Sequence, residues 1–127
     1  MEDRERSQEM PLIRLAAVMG FTAVACGALG AHAVKAWGPE ALEWWNTGAK
    51  YHLAHALAIA LIPALGPRLS KKAAITAAAL FTLGIALFSG SLYALAATGA
   101  RGLGAITPFG GLAFLAGWVA LFVGAKR

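Results

Sequence analysis

Residues 73–100 read AAITAAALFTLGIALFSGSLYALAATGA, an unbroken run of 28 residues without Asp, Glu, Lys or Arg, closed by Lys72 and Arg101. A helix rises about 1.5 Å per residue, so roughly 20 residues cross a hydrocarbon layer about 30 Å thick. Three more uncharged runs share this form: 15–34, 51–67 and 102–125, holding 20, 17 and 24 residues. The shortest can borrow residues upstream of Lys50 to reach spanning length. The chain therefore reads as an all-α integral membrane four-helix bundle, with spans near 12–34, 48–65, 72–98 and 108–125 following a polar N-terminal tail, 1–11.

Composition agrees. Of 127 residues, 59% are hydrophobic and only 13% charged, about half the charged share of an ordinary soluble domain, and one compact domain fits that length. The net charge of +5 does not point to nucleic acid, because the basic residues flank apolar runs instead of lining one face. All six acids (Glu2, Asp3, Glu5, Glu9, Glu40 and Glu43) lie in the first 43 positions, outside the runs. With no carboxylate in a span, a proton-coupled pump lacks its usual exchange group. Cys26, the sole cysteine, forms no disulfide within the chain and reads as a small apolar residue.

Local punctuation sets the boundaries. Pro11 suits a first helical turn, Gly38-Pro39 breaks and restarts the chain, Gly66-Pro67 stops the second helix and Thr98-Gly99 the third. Thr107-Pro108 offers an N-cap and first-turn proline for the fourth. The stretch 40–46 is amphipathic, and with Trp37, Trp44 and Trp45 it reads as a short interfacial helical segment before the second span. Eight basic residues fall in the N-terminal segment, the second-to-third loop and the C-terminus, against three (Lys35, Lys50 and Arg101) on the other side. The positive-inside rule then predicts both termini in the cytoplasm. Ala31-His32-Ala33 has the form of a signal-peptidase site, but four acids in the first nine residues favour an uncleaved span.

Small residues recur on each span: Ala16, Gly20, Ala23, Gly27 and Gly30; Ala79, Ala86, Gly90 and Ala97; Gly110, Ala113, Gly117, Ala120 and Gly124. Spacing near 3.5 residues implies close, left-handed helix packing, inside one bundle or between copies in a homo-oligomer.

The predicted topology gathers His32, Tyr51, His55, Ser89, Ser91, Tyr93 and Thr107 towards the outer leaflet. This polar cap is the candidate site for a lipid, a small hydrophobic ligand or a membrane partner. His32, His52 and His55 offer an alternative transition-metal or haem site; their spacing is looser than a metal motif, and helix-to-helix hydrogen bonds are the simpler reading. Ser89-Gly90-Ser91 with a histidine has no carboxylate to orient the imidazole, so no catalytic residue is assigned, no cofactor is called for and a non-enzymatic protein is expected.

Four motifs, at 27–33, 45–56, 87–93 and 104–111, resemble the YwdK/YgdD-like family of small membrane proteins known as domain of unknown function 423. The resemblance covers about 12–124. It implies a four-span inner-membrane protein without an assigned activity, and it carries over Gly27, Gly30, His32, Tyr51, His55, Ser89, Gly90, Ser91, Tyr93, Thr107, Pro108 and Gly110.

Overall fold

Proline and glycine divide the chain where the sequence says they should. In a computed structural model, which describes residues 2–127, the helices are α1 (Glu2–His32), α2 (Pro39–Leu65), α3 (Lys71–Gly84), α4 (Gly90–Thr98) and α5 (Thr107–Gly124). Short 3-10 turns at Val34–Trp37, Gly66–Arg68 and Arg101–Ala105 connect them. Pro39 sits in the first turn of α2 behind Gly38, whose φ of 108° only glycine adopts freely. Gly99 closes α4 in the left-handed region at φ 68°.

Three segments are long and apolar enough to cross a membrane: Glu2–His32, Lys71–Thr98 and Arg101–Gly124. At 27 residues α2 has the length, but it also carries Glu40, Glu43, Lys50 and two histidines. It lies against both α1 and the α3–α4 segment. The interfacial segment expected before the second span is the first turns of α2, continuous with the rest.

Three boundaries differ from the sequence reading. Residues 2–11 are not a separate tail but the first turns of α1, with Pro11 inside the helix; Met1 lies outside the described residues. Glu2 and Asp3 at the positive end of the helix dipole, and Glu2 four residues before Arg6, favour helix there. Thr107 is not the N-cap of α5; Ile106 holds that place, and the Thr107 hydroxyl goes elsewhere. The third span is not one regular helix. Residues Ile85–Ser89 form a π-turn in which the Gly90 N–H bonds the Ile85 carbonyl, five residues back.

Packing separates the small residues that matter from those that do not. A Cβ on Gly110 would strike the Phe88 backbone, one on Gly117 the Phe81 ring, and one on Gly124 the Ala73 methyl. The α5 stripe is therefore a true interface, where the glycine hollows take the backbone at Phe88, the ring of Phe81 and the methyl of Ala73. Gly84 returns the arrangement by receiving Phe114. On α1, the face against α2 is Ala16, Ala23 and Gly30, seven residues apart and all buried. Gly20, Gly27 and Gly90 have no close neighbour where a Cβ would stand, so they make no tight contact within this bundle. Ala79, Ala86 and Ala97 are exposed. A hollow on one helix needs a knob on its partner, so α3 contributes bulk where α5 contributes glycine.

The main core runs from Ala16 through Ile59, Ile62, Phe81 and Phe114 to Leu69. At that end Lys126 N–H bonds Arg68 O and Ser70 N–H bonds Gly124 O, so the C-terminus meets the α2–α3 loop. The opposite end has a smaller core of Val34, Ala41, Trp45 and Ala96.

Candidate functional site

The polar side chains inside the bundle form layers. Along α2, Gly48, His52 and His55 stand roughly 14, 20 and 24 Å from Pro39 at 1.5 Å per residue. Each layer joins different helices.

Nearest the α2 N-terminus, the Ser91 and Thr107 hydroxyls lie 2.6 Å apart, joining α4 to α5; Ser91 also reaches the Phe88 carbonyl at 3.0 Å. The Ser89 hydroxyl, fully buried, donates to the Gly48 carbonyl across 2.7 Å. The π-turn aims it there, and Gly48 lets the helices meet: a Cβ would stand 3.3 Å from the Ser89 carbonyl oxygen. The two serines, two residues apart on the helix, thus serve different partners.

The next layer holds His52. Its Nε2 lies 3.1 Å from Thr22 Oγ1 and its Nδ1 2.9 Å from the Tyr93 hydroxyl. Thr22 donates its one proton to the carbonyl of Val18 or Met19, each at 3.0 Å, and so accepts from Nε2–H. That leaves Nδ1 to accept from Tyr93 O–H. The Tyr93 ring also packs 4.5 Å from Trp45, whose indole N–H donates to the Cys26 carbonyl at 2.6 Å.

Deepest is His55, stacked on Phe114 with centroids 3.6 Å apart and planes 11° from parallel. Its Nδ1 donates to the Tyr51 carbonyl at 2.7 Å. Nε2 therefore carries a lone pair, and Trp118 Nε1–H fills it from 3.1 Å. Both nitrogens of both buried histidines are engaged. Among the described residues no buried side-chain nitrogen or oxygen lacks a partner.

The remaining candidates stand apart. His32 is exposed at the end of α1, and Tyr51 is half-exposed with its ring 4.8 Å from Phe88. The metal or haem triad of His32, His52 and His55 is not assembled: among the described residues no three His, Cys, Asp or Glu side chains could hold an ion. On α2, His52 turns to α1 and α4 while His55 turns to α3 and α5, so adjacency in sequence does not become convergence.

Sequence reasoning missed Thr22, Gly48 and Trp118. Trp118 carried a signal, since it falls well inside an apolar run whereas the other tryptophans flank one. A second omission is a cleft of about 580 Å³ at the α2 N-terminal end, lined by Trp37, Glu40, Ala41, Trp44, Ala97 and Arg101 among others. Arg101 and Glu40 pair there at 3.0 Å, and the guanidinium lies 5.7 Å from the Trp44 ring centre. An apolar groove of about 340 Å³ lies between α1 and α2, near Ala16 and Ala56.

The profile of a family described as "Protein of unknown function (DUF423)" matches residues 26–111. The chain is 44% identical over 117 residues to the UPF0382 membrane protein YwdK of Bacillus subtilis, covering 91% of this chain and 95% of that relative. It is 40% identical over 122 residues to the UPF0382 inner membrane protein YgdD of Escherichia coli K12, covering 91% and 89%. A UPF0382 membrane protein of Haemophilus influenzae is 40% identical over 116 residues, covering 91% and 93%. None of these names carries an activity. No solved structure matches the chain.

Proposed function

The chain belongs to the DUF423 family of membrane proteins, and from that premise we propose a non-catalytic, four-span inner-membrane protein that binds membrane lipid at the bundle end bearing Trp37, Trp44 and Arg101. Both termini then lie in the cytoplasm, and the lipid site faces the other leaflet. The orientation is supported by the eight-to-three distribution of basic residues and by the Lys126–Arg68 contact, which keeps the C-terminus beside the basic loop.

One observation carries the lipid reading. Among the described residues the buried polar side chains already have hydrogen-bond partners within the chain, whereas the cleft between the start of α2 and the end of α4 is open, rimmed by tryptophan and charged at its edge. Tryptophan and arginine at a bilayer boundary meet headgroups as readily as water. The polar layers then serve as helix-to-helix ties that fix the cleft walls.

Native mass spectrometry and thermal shift on purified protein, titrated with bacterial phospholipids, test this. Lipid adducts that survive detergent exchange and raise the melting temperature are expected. A protein that carries no lipid and melts at one temperature throughout would overturn it.

A further inference from the structure

We propose that the cleft selects a zwitterionic phospholipid bearing a primary ammonium headgroup, a proposal that rests on the lipid-binding reading above. The argument begins with Arg101 and Glu40. Their contact is a single one, guanidinium Nη2 to carboxylate Oε1 at 3.0 Å, and the side chains are 74% and 58% exposed. The second carboxylate oxygen and the remaining guanidinium N–H groups stay available. The edge of the cleft therefore presents one anion acceptor and one cation acceptor side by side, with no net charge between them.

That pattern complements a phosphoethanolamine group. The phosphate takes the free N–H edge of Arg101, whose planar fork suits paired phosphate oxygens. The ammonium a few ångströms away takes the free oxygen of Glu40. The guanidinium stands over the Trp44 ring, 5.7 Å from its centre, which keeps the charge at the cleft edge. Trp37, half-exposed and packed edge-on to Trp45 at 5.9 Å, closes the other side and offers an aromatic face to the ammonium.

Depth and shape fit the same ligand. The walls between the tryptophans are Ala41, Ala96, Ala97 and Gly99. Small side chains leave the hollow open, and Ala97 is exposed towards the lipid side of α4, where acyl chains can continue down the helix. Disturbing the ion pair costs little, because both side chains are well exposed and water screens their attraction. A purely anionic lipid gains at Arg101 but meets repulsion at Glu40. A trimethylammonium headgroup keeps its charge but has no N–H to give the carboxylate.

Full-length protein is reconstituted in nanodiscs of phosphatidylethanolamine and phosphatidylglycerol at equal amounts, and retained lipid is counted by native mass spectrometry after extraction. Retention should favour phosphatidylethanolamine by about two- to fivefold, the range that one partly exposed charged contact supplies. Glu40→Gln should bring that ratio to about one or below while Arg101→Gln lowers retention of both lipids, with unchanged melting in detergent for each. Tryptophan quenching by brominated phosphatidylethanolamine should fall in Trp44→Phe, which places the lipid in this cleft. Lipid retained without preference, or a preference that survives Glu40→Gln, overturns the headgroup assignment and leaves lipid binding standing. Protein that retains neither lipid overturns both.

Discussion

Trp118 donates its indole N–H to Nε2 of His55 across 3.1 Å, tying α5 to α2 near the middle of the bundle. The imidazole has no freedom in this contact, because its other nitrogen is committed to the Tyr51 carbonyl. Trp118→Phe keeps an aromatic ring and removes the donor together with part of the indole's packing. Interhelical hydrogen bonds in membranes average about 0.6 kcal/mol and reach about 1.7, so a loss of about 1 kcal/mol in reversible unfolding is expected. His55→Leu should cost at least as much. A double-mutant cycle across the pair should give coupling of the same order, whereas coupling near zero would show that the bond contributes nothing to the fold.

Gly110 and Gly117 should differ in how badly they tolerate a methyl group. A Cβ at Gly110 meets the nitrogen and Cα of Phe88, which are backbone, while a Cβ at Gly117 meets the ring of Phe81. A ring can be shortened by mutation and a backbone cannot. Gly110→Ala and Gly117→Ala should each destabilise by about 1–3 kcal/mol, the usual cost of overpacking. Adding Phe81→Leu should recover part of the loss at Gly117 and none at Gly110. Gly20→Ala and Gly27→Ala, with open space at the Cβ, should be neutral or slightly stabilising, since alanine favours helix by about 1 kcal/mol over glycine.

These contrasts show where the sequence was legible. Helix ends were, because Gly38-Pro39, Gly66-Pro67 and Thr98-Gly99 act through their own backbone restrictions. The buried face of α1 was not. In a bilayer the lipid-facing side is as apolar as the packed side, so Phe21, exposed at 77%, and Ala23, buried, belong to one featureless run. The α5 stripe could be found because its glycines have a steric reason to be glycine; the α3 alanines have none. The π-turn at Ile85–Ser89 has no residue signature that sets it apart from a regular helix. Of the candidate cap, Ser91 with Thr107 came together as topology predicted. Tyr93 and His55 instead found other partners: Thr22, reached through His52, which no local pattern announces, and Trp118, whose place inside an apolar run was its one signal.

Ser89 is the side chain through which the π-turn acts. Its hydroxyl, without solvent exposure, donates to Gly48 O at 2.7 Å. Ser89→Ala removes one neutral bond and leaves the carbonyl its helical partner, so about 1 kcal/mol should be lost. Ser89→Val should cost more, because Ser89 is fully buried and the helices approach so closely there that even a Cβ added at Gly48 would stand 3.3 Å from the Ser89 carbonyl oxygen, so a branched side chain has to push them apart. Thermal unfolding of the two variants beside wild type checks the order; equal melting of all three would show that this contact is not a constraint.

Orientation in the membrane yields the last expectation. If the eight basic residues at one end mark the cytoplasm, the turn Arg101–Ala105 faces outward, together with the start of α2 to which Arg101 is paired. In a Cys26→Ala background, a cysteine at Gly102 should react with an impermeant maleimide in intact cells. One at Pro67, beside Arg68, should react only after the membrane is opened. Because Lys126 is bonded to Arg68, a cysteine at Arg127 should follow Pro67 and not Gly102. Reaction of Pro67 and Gly102 from the same side would be incompatible with α3 and α4 together making a single crossing, and with it the outward position of the lipid cleft would be lost.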